Sequence, residues 1–114
     1  IIMNTLRNRV QLIGNLGANP EIRDLSSGKK VARFSLATTE SYRDKEGNQV
    51  KETQWHNIIA WNKSAEFAEK YLEKGKRIAI DGKLTTRNWE DTEGKKHYVT
   101  EVILNEVMML DKKE

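Results

Sequence analysis

The apolar residues of this chain recur with a period of two almost everywhere and with a helical period only once, a contrast that limits the available folds more than any other feature. Strand-like runs cover residues 9–14, 21–25, 31–41, 50–61, 77–86 and 98–104, and residues 107–110 read as a short closing strand. In the run 31–41, Ala32, Phe34 and Leu36 alternate with Arg33, Ser35 and Ala37, as a half-buried strand requires. In the run 77–86, Ile78 and Ile80 stand opposite Ala79 and Asp81. Turn chemistry separates the runs, in Asn15-Leu16-Gly17-Ala18-Asn19-Pro20, Ser26-Ser27-Gly28, Asp44-Lys45-Glu46-Gly47-Asn48 and Asp91-Thr92-Glu93-Gly94. The last two read as tips of long hairpins, which project arms from a barrel.

The helical stretch spans residues 62–72. Ala65, Ala68 and Leu72, with Phe67 and Tyr71 alongside, fall at helical spacing; Asn62 or Ser64 is placed to cap the start, and Lys74-Gly75 ends it. The main order is three strand regions, one helix and two further strands. That is the order of the OB-fold, a five-stranded Greek-key barrel whose strand face and loops bind oligonucleotides or oligosaccharides. The expected class is all-β with one helix, an OB-fold with extended hairpin arms, as one domain over residues 1–114. A chain of 114 residues buries one core and not two. With 37% hydrophobic and 32% charged residues that core is lean, so burial through oligomerisation suits it.

All three tryptophans sit among polar residues, in Gln54-Trp55-His56-Asn57, Ala60-Trp61-Asn62-Lys63 and Arg87-Asn88-Trp89-Glu90, and Ser41-Tyr42-Arg43-Asp44-Lys45 repeats the pattern. Core aromatics usually lie within apolar runs; rings flanked by Arg, Lys and Asn suit a surface that stacks bases and neutralises phosphates. Trp55, Asn57, Ile59 and Trp61 share one strand face. Six residues at about 3.3 Å each separate the two rings by roughly 20 Å, enough for each to stack a different nucleotide. The alternative for this pair is that one or both rings fill the barrel. Tyr42 and Trp89 lie near the predicted arms, where ligand contact and a subunit interface are the main options. Arg43, Lys45, Lys63, Lys74 and Arg87 are the nearest cations. A net charge of +3 does not by itself identify a nucleic-acid binder. The argument is that cations collect beside rings while Glu66, Glu69 and Glu73 gather elsewhere.

Catalysis is not expected. The absence of cysteine excludes disulfides, Cys-ligated zinc, iron–sulfur clusters and thiol chemistry. His56 points opposite Trp55, and neither it nor His97 has a nucleophile and an orienting acid in a recognisable arrangement, so both read as packing or interface histidines. Asp81 and Asp91 stand alone in the sequence, and no Gly-rich phosphate loop or zinc motif occurs, so neither metal nor cofactor is expected. No apolar stretch reaches membrane-spanning length, and the N-terminus has neither signal- nor transit-peptide character. A soluble, unprocessed chain with no membrane partner is expected, with Met3 as its initiator after Ile1 and Ile2.

Val10-Gln11-Leu12-Ile13-Gly14-Asn15-Leu16-Gly17, followed by Asn19-Pro20-Glu21, resembles the opening of bacterial and mitochondrial single-stranded DNA-binding proteins. So do Phe34-Ser35-Leu36-Ala37-Thr38-Thr39-Glu40-Ser41, Thr53-Gln54-Trp55-His56, Tyr71-Leu72-Glu73-Lys74-Gly75 and Gly82-Lys83-Leu84-Thr85-Thr86-Arg87-Asn88-Trp89, in order and spacing almost end to end. The resemblance implies a homotetramer of OB-folds that wraps single-stranded DNA without sequence preference in DNA replication, repair and recombination. It carries base stacking onto Tyr42, Trp55, Trp61 and Trp89, with Tyr at 42 where Trp is frequent and Trp at 61 where Phe is frequent. It carries phosphate contacts onto Arg43, Lys63, Lys74 and Arg87, while Asn57, Thr85 and Asn88 stand where the family often has basic residues. His56 and Tyr71 match subunit-interface positions, and the family's first strand commonly pairs across a dimer.

The resemblance also implies a bacterial cytoplasmic, nucleoid-associated protein, ahead of a mitochondrial matrix one. Family members usually continue through a Gly/Pro/Gln-rich linker to an acidic, Phe-terminated tip that recruits genome-maintenance proteins. This chain stops at Asp111-Lys112-Lys113-Glu114, so tail-mediated replication and repair partners are not expected of it. On the residues alone two other readings stay open: an OB-fold module for RNA or a primosome-type accessory role, and a protein-interaction domain whose exposed rings form an interface.

Overall fold

Strand pairing carries regular structure beyond the apolar runs that nucleate it. The computed structural model describes residues 7–110, so Ile1, Ile2, Met3 and the closing residues 111–114 lie outside the described residues. Its elements are β1 (Val10–Leu16), β2 (Glu21–Asp24), β3 (Lys30–Arg43), β4 (Gln49–Trp61), α1 (Lys63–Tyr71), β5 (Arg77–Glu90) and β6 (Lys96–Met109). The β5–β6 ladder continues out to Glu90↔Lys96, past the buried segment, so β5 ends four residues later than its apolar pattern predicts. The expected closing strand at 107–110 is not separate: β6 runs through to Met109, with a bulge between Asp81 and Gly82 absorbing the change of register.

The sheet order is β1-β5-β6-β4-β3-β2, and β1 also pairs with β3 at Asn15↔Ala37 and Leu16↔Leu36. That second pairing closes β1, β5, β6, β4 and β3 into a five-stranded barrel, with β2 as a four-residue edge on β3. The crossing needs glycine at position 14, where a Cβ would strike the carbonyl oxygen of Ala37. β4 and β6 run parallel at Ile58↔Val102 and Ile59↔Ile103, and the other pairings are antiparallel. The mostly-β class with one helix between the third and fourth long strands is the expected OB-fold.

Leu36, Ile58 and Ile78 are fully buried at the barrel centre, joined by Leu16, Phe34, Ile80, Val102 and Leu104. The helix seals one end through Ala65, Ala68 and Leu72, and Lys30 of β3 holds it from outside by a 2.7 Å ion pair to Glu69. The expected side-chain cap is not made. Asn62 takes the N-cap position at φ 53°, its N–H donating to the Lys30 carbonyl at 2.8 Å, and Ser64 lies inside the helix. Both arm tips repeat one device. Asp44 Oδ1 accepts the N–H groups of Glu46 and Asn48, Asp91 Oδ1 accepts those of Glu93 and Lys95, and Gly47 and Gly94 each turn at φ 81°.

Candidate nucleic-acid interface

Register fixes which side chains share the outer face of the neighbouring strands β3, β4, β6 and β5. On β4 that face carries Trp55, Asn57, Ile59 and Trp61; the facing β3 residues are Ala37, Ser35, Arg33 and Val31. Ile59 lies beside Ile103 of β6, so the same face continues through Ile103, Glu101, Val99 and His97. It then passes to Thr85, Arg87 and Trp89 of β5. Three tryptophans therefore stand on one continuous surface. Their exposures of 60% at Trp55, 38% at Trp61 and 45% at Trp89 exclude a barrel-filling role for any of them. Between them runs a cleft of about 400 Å³, lined among others by Asn19, Ser35, Asn57 and Val99.

Each ring is set by different neighbours. Trp55 packs against the Gly17 backbone, where an added Cβ would meet ring carbons Cζ3 and, at 2.9 Å, Cη2; Gly17 is tied to β3 by its N–H to the Ser35 carbonyl at 3.1 Å. Trp89 is stacked on His97 at 5.3 Å between centroids and 21° between planes, and the Arg87 guanidinium lies 5.3 Å from its ring. His97 in turn meets Asp91 Oδ2 at 2.8 Å. That contact, with the Lys95 and Glu93 N–H groups, holds the Asp91 carboxyl below its ordinary value of 3.8 against a smaller opposing effect of desolvation.

The other expected site residues are dispersed. Tyr42 pairs with Val50, one residue out of phase with Trp55, so it belongs to the opposite side of the β3–β4 arm, with its hydroxyl 3.3 Å from Glu52. Arg43 is in phase with Trp55 but lies near the arm tip, donating to the Gly47 carbonyl at 3.1 Å. Lys63 opens the helix and is exposed. Lys74 follows it, in a loop held to the β1–β2 connection by the Lys74 N–H to Asn19 Oδ1 at 2.8 Å. His56 occupies the face opposite Trp55, half-buried, with Nε2 2.9 Å from Thr38 Oγ1. Tyr71 is exposed at the helix end against Phe67.

Two further residues of the face, Glu101 and Arg33, have a partnership that only the tertiary structure brings out. Glu101 is the one charged residue buried among the described residues, at 4% exposure. Its Oε2 accepts from Arg33 Nη1 and its Oε1 from Arg87 Nε, each at 3.0 Å. Arg33 reads as a plain solvent-facing position, and 68 residues separate it from Glu101. The one available clue is that Glu101 stands alone in the apolar run leading to Val102, Ile103 and Leu104. Among the described residues no group of three or more His, Asp or Glu side chains could hold a metal ion.

A closed OB barrel with spaced rings and guanidinium groups on one sheet face has the build of a single-strand-binding module, stacking along the face rather than insertion into a groove. The chain belongs to the single-strand binding protein family, whose model matches residues 7–110. It is 44% identical over 108 residues to Single-stranded DNA-binding protein 1 of Chlorobaculum tepidum, an alignment covering 94% of this chain and 67% of that one. The protein of the same name from Xylella fastidiosa is also 44% identical over 108 residues, with 79% of its length covered. Among solved structures, a Plasmodium falciparum SSB complex with ssDNA superimposes with a TM-score of 0.82 at 38% identity, covering 91% of this chain and 95% of that chain.

Proposed function

We propose that this protein binds single-stranded DNA without sequence preference, by stacking bases on Trp55, Trp61 and Trp89 and neutralising phosphates with cations of the same surface. One observation carries the reading: three exposed rings share a face built from strands far apart in sequence. Every base offers a π-face, so such a track is indifferent to sequence, and the phosphate contribution makes it salt-dependent. The protein acts as a binder without catalysis, coating single strands in DNA replication, repair and recombination. Tyr42 extends the track from the far side of its arm, and Arg43, Lys63, Lys74 and Arg87 supply phosphate contacts around it. The setting is the bacterial cytoplasm, at the nucleoid.

The functional unit is a homotetramer. Residues 10–14 of β1 pair with β5 on one side only among the described residues, since the β1–β3 pairing is confined to Asn15 and Leu16. An open edge of this kind recruits another strand. Beside it, Ile13 and Met108 are exposed on one β1–β5–β6 surface, and His56 meets Thr38, the residue after the last β3 partner of β1. Tyr71 offers a further exposed contact at the helix end.

Titration with a long oligo-dT is expected to quench tryptophan fluorescence, with affinity falling steeply as salt rises. Equal affinity for duplex and single strand would overturn the reading. Competition between RNA and DNA strands of matched sequence separates it from an RNA-binding module. If Trp55→Ala and Trp61→Ala disrupted assembly yet left DNA affinity intact, a protein-interaction role would replace it.

A further inference from the structure

We infer that Arg33 and Arg87, braced by Glu101, form a subsite for a backbone phosphate at the centre of the ring-bearing face. The inference rests on the single-strand reading above, in which Arg87 already meets a phosphate, and adds Arg33 as a second donor and Glu101 as the brace of both. Sheet order places β4 between β3 and β6, so the Arg33–Glu101 ion pair reaches across a whole strand. Arg87 approaches the same carboxylate from the other side, from β5. Each arginine spends one nitrogen on Glu101, Nη1 of Arg33 and Nε of Arg87. Both guanidinium groups remain about half-exposed and line the cleft between the tryptophans, where the rest of each donor fork is free to meet an anion.

What the cluster offers a ligand is unspent donor capacity, since each guanidinium uses one nitrogen on Glu101. The buried Glu101 carboxylate faces two cations, while the other carboxylate lining the cleft, Glu21, stands opposite Arg33 in the β2–β3 ladder and lies 3.8 Å from Arg23. Each arginine joins its own strand to β6, and each keeps on the solvent side the rest of a planar fork whose geometry matches a phosphodiester. Glu101 is a positioning residue: it touches no ligand and holds two flexible side chains in one geometry. It also bears on Trp89, because the Arg87 it anchors lies against that ring.

The experiment is fluorescence titration with oligo-dT over a salt series, on the full chain, for wild type, Arg33→Gln, Glu101→Gln and the double variant. A phosphate contact on a single strand contributes about 0.7 to the slope of log K against log salt. Arg33→Gln is therefore expected to flatten the slope by about 0.7 and to weaken binding roughly fivefold at 0.1 M salt. In the Glu101→Gln background the same substitution is expected to cost less than about twofold, because the fork is no longer braced. Thermal melts confirm that each variant is folded. If Arg33→Gln alone unfolds the barrel, Arg33→Lys serves instead: it keeps a cation beside Glu101 but loses the planar fork, so it is expected to weaken oligo-dT binding, and unchanged affinity would overturn the subsite.

An unchanged slope for Arg33→Gln with a lowered melting temperature would make the cluster a purely structural staple and overturn the subsite. A full fivefold penalty in both backgrounds would overturn the positioning role of Glu101. Wild-type protein that fails to bind oligo-dT would instead overturn the single-strand reading, and the subsite with it.

Discussion

The ring of Trp55 is held by a residue with no side chain. Gly17 lets the indole pack against the β1–β2 connection, and a methyl group there would press on Cζ3 and Cη2. Gly17→Ala is expected to tilt the ring, shift its emission and weaken oligo-dT binding, by less than the roughly 1–3 kcal/mol per base that loss of a whole ring costs. Unchanged emission and affinity would show that the ring adapts freely. Asp91 gives a second prediction, in pH. Its carboxyl is held below 3.8 chiefly by His97 and by the Lys95 amide. A carboxyl depressed on folding contributes stability that is present above its unfolded value and lost as pH falls through the folded one. The β5–β6 arm tip should therefore stay ordered down to pH about 4 and loosen below it. Amide exchange at Glu93 and Lys95 reads this directly, and Asp91→Asn should remove the acid-dependent step.

At the scale of elements, the junction of β4 and α1 carries the one non-glycine residue with positive φ among those described, Asn62 at φ 53° and ψ −115°. Such a conformation costs on the order of 1–3 kcal/mol for a side chain. The greater unfolded-state freedom of glycine offsets about 0.5–1 kcal/mol of that. Asn62→Gly is thus expected to stabilise the protein by about 1 kcal/mol, visible as a melting temperature roughly 4 °C higher. A lower melting temperature would mean that the Asn62 side chain does useful work at the junction. The same junction shows where local reading fails. Residue type nominates Asn62 as a side-chain cap, but its φ of 53° and ψ of −115° lie away from the extended conformation a capping residue adopts, and no side-chain bond to the first turn forms. The helix itself is legible because Ala65, Ala68 and Leu72 are near one another in sequence as well as in space.

For the molecule as a whole, the barrel solves its own core and leaves one surface unsolved. Ile13 and Met108 stand exposed on the β1–β5–β6 side, next to a strand edge that among the described residues is paired on one side only. Placing a charge there costs a monomer almost nothing and costs an assembled interface the desolvation of an unpaired ion. If this surface holds the proposed tetramer together, Ile13→Glu with Met108→Glu is expected to lower the light-scattering mass toward that of one chain and, because assembly stabilises the folded state, to lower the melting temperature while circular dichroism still shows a folded barrel. Retention of the wild-type mass would place the assembly surface elsewhere. Oligo-dT affinity per chain should fall less than affinity per assembled particle, because linked sites add effective concentration.

Alternation, turn chemistry and one change of period are local properties, and each fold feature that depends on them can be read from the chain. The strand–helix order, the two Asp-x-x-Gly arm tips and the shared face of Trp55 and Trp61 belong to this group. Tyr42 needs its place in the β3–β4 ladder before its side is known, although its flanking residues look like those of the tryptophans. Joining Trp89 to the face of Trp55 requires the parallel β4–β6 pairing, which nothing in either segment specifies alone. Glu101 needs more still: it is tolerable inside only because Arg33 and Arg87 reach it from two other strands. Side-chain period is set by neighbouring residues along the backbone, whereas register and charge pairing across the barrel arise only when distant strands meet.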